Sequence, residues 1–517
     1  MTGFSPSRRH LLRVGGGLSI LGAAAPFAVQ MAAAGSAASQ SAPDYRALVC
    51  IFLFGGNDSH NTVLATDTDS FGRYFSARNT GNAPIALMPP GTPPTPVGAT
   101  SSVTGRVATA DSPEAWGGVL PIVPRTPNPI PAGTNASVRT FALHPFLGPL
   151  KTLFDAGRLG VVANVGTLIR PITKAQYQGG TVAFPANLFS HNDQQSTWQA
   201  GATEGTRVGW GGRLGDMLAG LNGTDTLFTA ISTAGNAVFL SGQTVIQYQM
   251  TTAAQPAVVI NGQAGASLFG STVAPSRVRS LIQDQTAAGL FAADYATVTN
   301  RSIGAATTIN GLFTQPVVTG IPAPTAYVNP ITGATETNSL ATQLQTVARM
   351  IAASGSTGVR RQVFFVSLGG WDNHDFQNTV QANNLAKVAH GMAYFDSVLA
   401  SIGGVNMRNA VTTFTASDFS RTFTTNGDGT DHAWGGHHFV MGGSVRGGDI
   451  YGQYPTLGVD LGGFTNPDMT RAALIPTTSV DQYAATMGRW LGVSEAGLDS
   501  IFPNLRNFPT RGLGFLG

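Results

Sequence analysis

Four short apolar runs, each stopped by glycine or by a polar loop, constrain this chain more than any other feature. They are residues 47–54 (ALVCIFLF), 159–165 (LGVVANV), 362–368 (QVFFVSL) and 411–416 (VTTFTA). A strand with one wet face alternates apolar and polar side chains. Nearly unbroken runs rich in β-formers are strands covered on both faces, and such strands belong to parallel sheets under helices. Helical spacing fills the intervals. Leu147, Leu150, Leu153 and Phe154 mark a helix over 146–156, and Leu340, Leu344, Val347 and Ile351 one over 340–353. Leu385, Val388, Met392, Phe395, Leu399 and Ile402 mark a third, and residues 482–491 a late packing helix. The pattern predicts an α/β domain over 44–517 with a mostly parallel sheet flanked by helices.

In open α/β sheets, ligands bind beyond the carboxyl ends of the strands. The first run releases Gly55-Gly56-Asn57-Asp58-Ser59-His60, the third Gly369-Gly370-Trp371-Asp372-Asn373-His374, and the fourth Ser417-Asp418. Three more histidines, His432, His437 and His438, follow within residues 412–443. Charged residues make up only 11% of the chain, against roughly 25% in an average soluble domain, so this gathering is selective. Asp and His groups converging at strand ends would repel or desolvate one another without a cation. Their O and N donors suit divalent Zn, Ca, Mg or Mn and do not discriminate among them.

Ser190 precedes a helical stretch at 192–199, where its hydroxyl would lie beside free backbone N–H groups. A nucleophilic hydroxyl gains from the same place, and His191 and Asp193 are adjacent. Arg421, close behind Asp418, is a candidate clamp for an oxyanion. The plain alternatives are a capping serine and a structural salt bridge.

Residues 79–140 are dense in Pro, Gly, Thr and Ser and predict a long surface excursion, partly ordered by Trp116 and residues 119–123. Residues 227–316 alternate β-like pieces with turns and predict a β-rich insertion. The single cysteine, Cys50, lies inside an apolar run, which excludes an intrachain disulfide and a thiolate metal cluster. Residues 1–38 (with Arg8-Arg9, a mild Ala/Gly-rich apolar core and small residues after it) predict a twin-arginine signal, hence a periplasmic or secreted protein without a later membrane span. Setting aside Arg8, Arg9 and Arg13 leaves 26 basic against 26 acidic residues, so charge gives no reason to expect nucleic acid as a partner.

With these loops in hand, the chain resembles the exported bacterial domain-of-unknown-function 1501 family. The segments that carry the resemblance are SRRHLLR (7–13), FLFGGNDSHNT (52–62), LHPFLGPL (143–150), VVANVGTL (161–168), FSHNDQQSTWQ (189–199), GGWDNH (369–374) and, within 417–443, SDFSRT and NGDGTDHAWGGHHFVMGG. That family looks like a branch of the alkaline phosphatase and sulfatase superfamily, so the resemblance implies an alkaline-phosphatase-like fold and two metal ions around a nucleophile. By it Asp58 is an early metal ligand and Ser190 the nucleophile. Asp372 and His374 serve one metal, Asp418 serves the other, and His432, His437 or His438 complete the shells. The activity so implied is hydrolysis of phosphate or sulfate esters on a small molecule or glycan. The alternative is an exported accessory or binding protein without catalysis.

Overall fold

The computed structural model describes residues 45–131, 137–223, 226–254, 256–257, 267–286 and 289–517. The twin-arginine segment expected at 1–38 lies outside the described residues. The main sheet contains β1 (Arg46–Leu53), β2 (Leu159–Gly166), β3 (Ala230–Ser232), β4 (Tyr248–Gln249), β5 (Arg361–Leu368), β6 (Val411–Ser417), β7 (Gly436–Met441), β8 (Ile450–Tyr451) and β9 (Thr478–Ser479). Their order is β8-β2-β7-β6-β1-β5-β3-β4, with β9 also paired to β2. β1 pairs in parallel with β5 and β6, and Leu53 stands opposite both Leu368 and Ser417. That register brings three strand ends level, so the loops carrying Asp58, Asp372 and Asp418 leave from one edge. The sheet is mixed but mostly parallel: β7 is antiparallel to both its neighbours, β6 and β2.

The apolar runs have no polar face because both faces of the sheet are covered. Along β1, Ala47, Val49, Ile51 and Leu53 enter one core, while Leu48, Cys50 and Phe52 enter the other. The helices that follow are α1 (Thr68–Arg78), α2 (Gly148–Asp155), α3 (His191–Ala200), α4 (Trp210–Leu218), α5 (Leu290–Leu312), α6 (Ser339–Thr357), α7 (Gln377–Leu399) and α8 (Val480–Leu491). The first core is closed by α2, α6 and α7, through Leu150, Leu344, Val347, Leu385, Met392 and Phe395. The second is closed by α4 and α8, through Leu214, Met217, Tyr483, Met487 and Leu491. Each such large side chain contributes about 1.5–3 kcal/mol by leaving water, so the two layers fix the sheet that presents the loops. The caps follow the sequence. Asn338 accepts from the N–H groups of Leu340 and Ala341 at the start of α6, and left-handed Gly358 ends it.

Two expectations are corrected. The 79–140 stretch is ordered beyond the expected 119–123 segment: Leu120–Ile122 does pair with Phe141–Leu143, in a small sheet that also holds Val63–Ala65, but Ile85, Ala86, Leu87 and Met88 are buried as well. These contacts lack periodicity, which is why Pro and Gly mask them. The 227–316 stretch is not β-rich throughout. β3 and β4 extend the main sheet, but Ala274–Ile282 and α5 are helical. Within α5, Ala305, Ile309 and Leu312 are buried at helical spacing, a stripe too narrow to stand out among Ala, Thr and Gly.

Candidate metal centre

The site begins where β1 ends. Pairing continues past the strands, with Phe54 N–H on Leu368 O at 3.0 Å and Trp371 N–H on Phe54 O at 3.1 Å. Gly55 then takes φ +119°, and a Cβ there would stand 2.4 Å from the backbone nitrogen of Asp372. Gly56 takes φ +87°, and a Cβ there would stand 2.6 Å from the Phe419 ring. Only glycine accepts both the conformation and the approach. Between β6 and β7 the chain makes a hairpin, closed by Thr422 N–H on Asp431 O and Ala433 N–H on Ser420 O, each 2.9 Å. It folds the NGDGTDH loop back over the strand ends, sets His432 opposite Arg421, and returns the chain as the antiparallel β7.

Three imidazoles converge on the Asp372 carboxylate. His191 Nε2 lies 3.3 Å from Asp372 Oδ2. His374 Nε2 and His432 Nε2 each lie 3.2 Å from Asp372 Oδ1 and 2.9 Å from each other. The other ring nitrogen of each is anchored to an oxygen that can only accept. His191 Nδ1 meets Asp418 Oδ2 at 2.7 Å, His432 Nδ1 meets the Phe189 carbonyl at 2.7 Å, and His374 Nδ1 meets Asp431 Oδ1 at 3.2 Å. In the neutral tautomer with the proton on Nδ1, each ring would present Nε2 to Asp372, whereas a protonated ring would donate from Nε2 to the same carboxylate. Metal-binding histidines are oriented in this way, by an outer carboxylate or carbonyl on the remote nitrogen.

With unprotonated Nε2 atoms these contacts would repel and a shared cation would remove that cost; protonated rings would make them ion pairs with Asp372. Ligands about 2.0–2.1 Å from a tetrahedral ion lie roughly 3.3–3.4 Å apart, close to the separations here. One buried atom fits that arrangement: His191 Nε2 has no hydrogen-bond partner. Among the described residues, His191, Asp372 and His432 form a group close enough to hold one ion. His374 extends it.

The surroundings fix these groups. Arg421 is fully buried; it donates to Asp372 Oδ1 at 2.7 Å and to the carbonyls of Gly55 and Thr430. Burial works to raise the Asp372 carboxyl, but the Arg421 hydrogen bond and charge, with His191 and His432, hold it below its ordinary value. The hydrogen bond that His191 donates to Asp418 raises the imidazole above its ordinary value. Burial lowers His432, aided by the charges of Arg421 and His191 and opposed by the Phe189 carbonyl. The buried Phe419 ring packs against His191 and His432 at centroid distances of 4.9 and 4.6 Å, so neither imidazole is free to turn.

The expected residues separate into groups. Asp372, His374 and His432 come together as ligand candidates. Asp418 lies one step behind them: its Oδ2 takes His191, Gln195 Nε2 at 2.8 Å and Gly55 N–H at 3.2 Å, so it orients a histidine. Asp58 is engaged elsewhere, in a buried pair with Arg78 and a 2.6 Å hydrogen bond from Gln377 Nε2. That network reaches back to the centre through Gln377, Thr430 and Arg421.

His437 and His438 alternate along β7 into the two cores. His437 stacks on Tyr454 at 4.5 Å, and His438 packs edge-on to Trp198 at 4.8 Å. Burial lowers both, His438 to about 3. Ser190 stands at the start of α3, but its hydroxyl donates to Asp193 Oδ2 at 2.9 Å and caps no backbone N–H. Arg421, enclosed by Asp372 and backbone carbonyls, positions a ligand and offers no clamp to an oxyanion. The residues missed as ligands or supports were His191 and Asp431, although both stood beside singled-out neighbours, Ser190 and His432.

No curated protein matches the chain. Residues 271–502 match the model of the family described as "Protein of unknown function (DUF1501)", the family its motifs resemble, and that span holds β5, β6, β7, Asp372, His374, Asp418, Arg421, Asp431 and His432, while His191 and the glycine turn after β1 lie before it.

Proposed function

We propose that this protein is an exported, metal-dependent hydrolase of phosphate or sulfate esters on an alkaline-phosphatase-like scaffold. The observation that carries the reading is the convergence of three imidazole Nε2 atoms on the Asp372 carboxylate, each ring with an acceptor on Nδ1. His191, Asp372, His374 and His432 would hold a divalent cation, which when bound supplies Lewis acidity to an ester oxygen and to water. Asp418 and Asp431 keep two of the rings in the ligating tautomer, and Arg421 holds Asp372 in place. Ser190 remains the candidate nucleophile, with Asp193 in the same turn able to accept its proton. One centre is gathered here, where the family resemblance implies two ions. The Arg8-Arg9 pair supports export.

A second reading, an exported accessory protein without catalysis, is favoured by the enclosure of Arg421 and by the Ser190 hydroxyl being committed to Asp193. Elemental analysis of protein purified from the exported fraction, beside hydrolysis of aryl phosphates and sulfates, separates the two. The hydrolase reading expects near-stoichiometric divalent metal and turnover, both lost in His191→Ala and His432→Ala. It also expects Ser190→Ala to lose turnover while keeping the metal. Wild-type protein that holds no metal and turns over no ester refutes it.

A further inference from the structure

The long helix α5 carries one apolar stripe, and only half of it is covered. Toward its C-terminus Ala305, Ile309 and Leu312 are buried against the body of the protein. Continuing the same three-four spacing toward the N-terminus gives Ser302, Val298, Tyr295 and Phe291. All four are exposed, the last three at 55%, 57% and 89%. The first turns of α5 do rest on the protein, but by another side. Ala296 and Thr299 are buried, and Asn300 Nδ2 donates to the Gln283 carbonyl at 3.1 Å. At about 100° per residue these three lie roughly 70–170° round the helix from the stripe. Bulky apolar residues therefore face outward where small ones face in, the reverse of a surface helix. A core-facing stripe that continues past the body marks an interaction face.

The flanking charges say what fits that face. Asp294 and Arg301 are exposed and seven residues apart, so they border the stripe on the same side. Among the described residues neither has an ion-pair partner. Within one helix they stand about 10 Å apart and do not meet. Two such helices laid antiparallel, stripe to stripe, bring Asp294 of each opposite Arg301 of the other. The same register sets Tyr295 on Val298 and the Phe291 ring over the small Ser302. A parallel pair would set each charge level with its own like. We propose that α5 is the contact through which two copies of this chain pair, antiparallel, about a two-fold axis near Thr297. The face spans about three helical turns, so the dimer is weak and forms as concentration rises.

The test is sedimentation of the mature protein over a concentration series, for wild type, Phe291→Ser, Asp294→Arg, Arg301→Asp and the double variant Asp294→Arg/Arg301→Asp. Wild type should pass from one copy to two. Phe291→Ser and each single charge reversal should weaken the dimer on the order of tenfold. The double variant exchanges the charges and keeps each facing pair, so it should regain the wild-type dimer within about twofold. That recovery would also show that the single variants fail at the interface and not in folding; as every altered side chain is exposed, thermal midpoints should stay at the wild-type value. A wild-type protein that remains monomeric to about 1 mM overturns the proposal, and retention of that monomer on phosphatidylglycerol vesicles through Phe291 would give the face to lipid instead. A dimer indifferent to all four variants, or a double variant as weak as the single reversals, overturns it as well.

Discussion

Replacing Gly55 by alanine should damage stability and metal binding together, through one contact. At φ +119° an alanine is strained whatever the space around it, which costs about 1–3 kcal/mol. Its Cβ would also stand 2.4 Å from the Asp372 nitrogen and 2.8 Å from the Trp371 carbonyl carbon. The first is about 0.6 Å short of the 3.0 Å that such contacts essentially never undercut. The neighbour is backbone tied to the ends of β1 and β5, so relief requires the two loops to part. Overpacking of this kind adds about 1–3 kcal/mol, for an expected total near 3–4 kcal/mol. The displaced residue is Asp372, on which three imidazoles converge. A centre must hold its groups within about 0.5 Å of productive geometry, so metal affinity should fall on the order of 10- to 100-fold. Gly98→Ala is the matched control, because Gly98 also has positive φ, +86°, but nothing lies within 4 Å of its Cβ. Urea and thermal unfolding of both variants, with metal titration, isolate the contact from the backbone strain. If Gly55→Ala costs no more than Gly98→Ala and binds metal normally, the loops are not rigidly apposed and the reasoning fails.

Asp58→Asn should uncover a buried charge on Arg78 and cost about 3–5 kcal/mol, since the pair is 0% and 2% exposed. Metal content should nevertheless be retained, and a variant of normal stability that loses metal would restore Asp58 as a ligand. Asp481, at the start of α8, predicts a pH dependence. Burial, only partly offset by Arg213, pushes its carboxyl up to about 7, against about 3.9 in an unfolded chain. The fold therefore prefers the protonated form. The associated stability is full below pH 4, is lost as pH rises toward 7, and is flat above it, with a total change of up to about 4 kcal/mol. Asp481→Asn should match wild type in thermal midpoint near pH 4 and exceed it at pH 8. Parallel profiles for the two proteins across that range would contradict the assignment.

The sheet was legible because burial on both faces leaves a direct mark in sequence: β1, β2, β5 and β6 are short runs rich in apolar residues and β-formers, and each is a strand within a residue or two of its expected bounds. The same rule explains what was hidden. β7 (GHHFVM) carries two histidines, so polarity pointed to a site where the structure places strand residues facing two cores. A buried neutral imidazole and a ligating one are the same letter. What separates them is the partner on the remote nitrogen, and partners come from distant segments. His437 Nδ1 accepts from the Asn164 N–H at 3.1 Å, which fixes it as a structural acceptor.

Carboxylates have the same ambiguity. Asp372, Asp418 and Asp58 leave three level strand ends and are indistinguishable by position, yet their partners assign them different work. Asp372 faces three Nε2 atoms, Asp418 faces one Nδ1–H, and Asp58 faces Arg78. Arg78 comes from α1, 20 residues along the chain from Asp58, and nothing in its own surroundings marks it. His191 arrives from outside the sheet loops altogether, as the first residue of α3, with two left-handed residues, Asn187 and Phe189, in the turn before it. Strand ends therefore locate the centre, but the choice of ligands depends on which side chains the flanking elements have already engaged. At this edge Arg78 engages Asp58 and His191 engages Asp418, and Asp372 remains as the carboxylate that three imidazoles share.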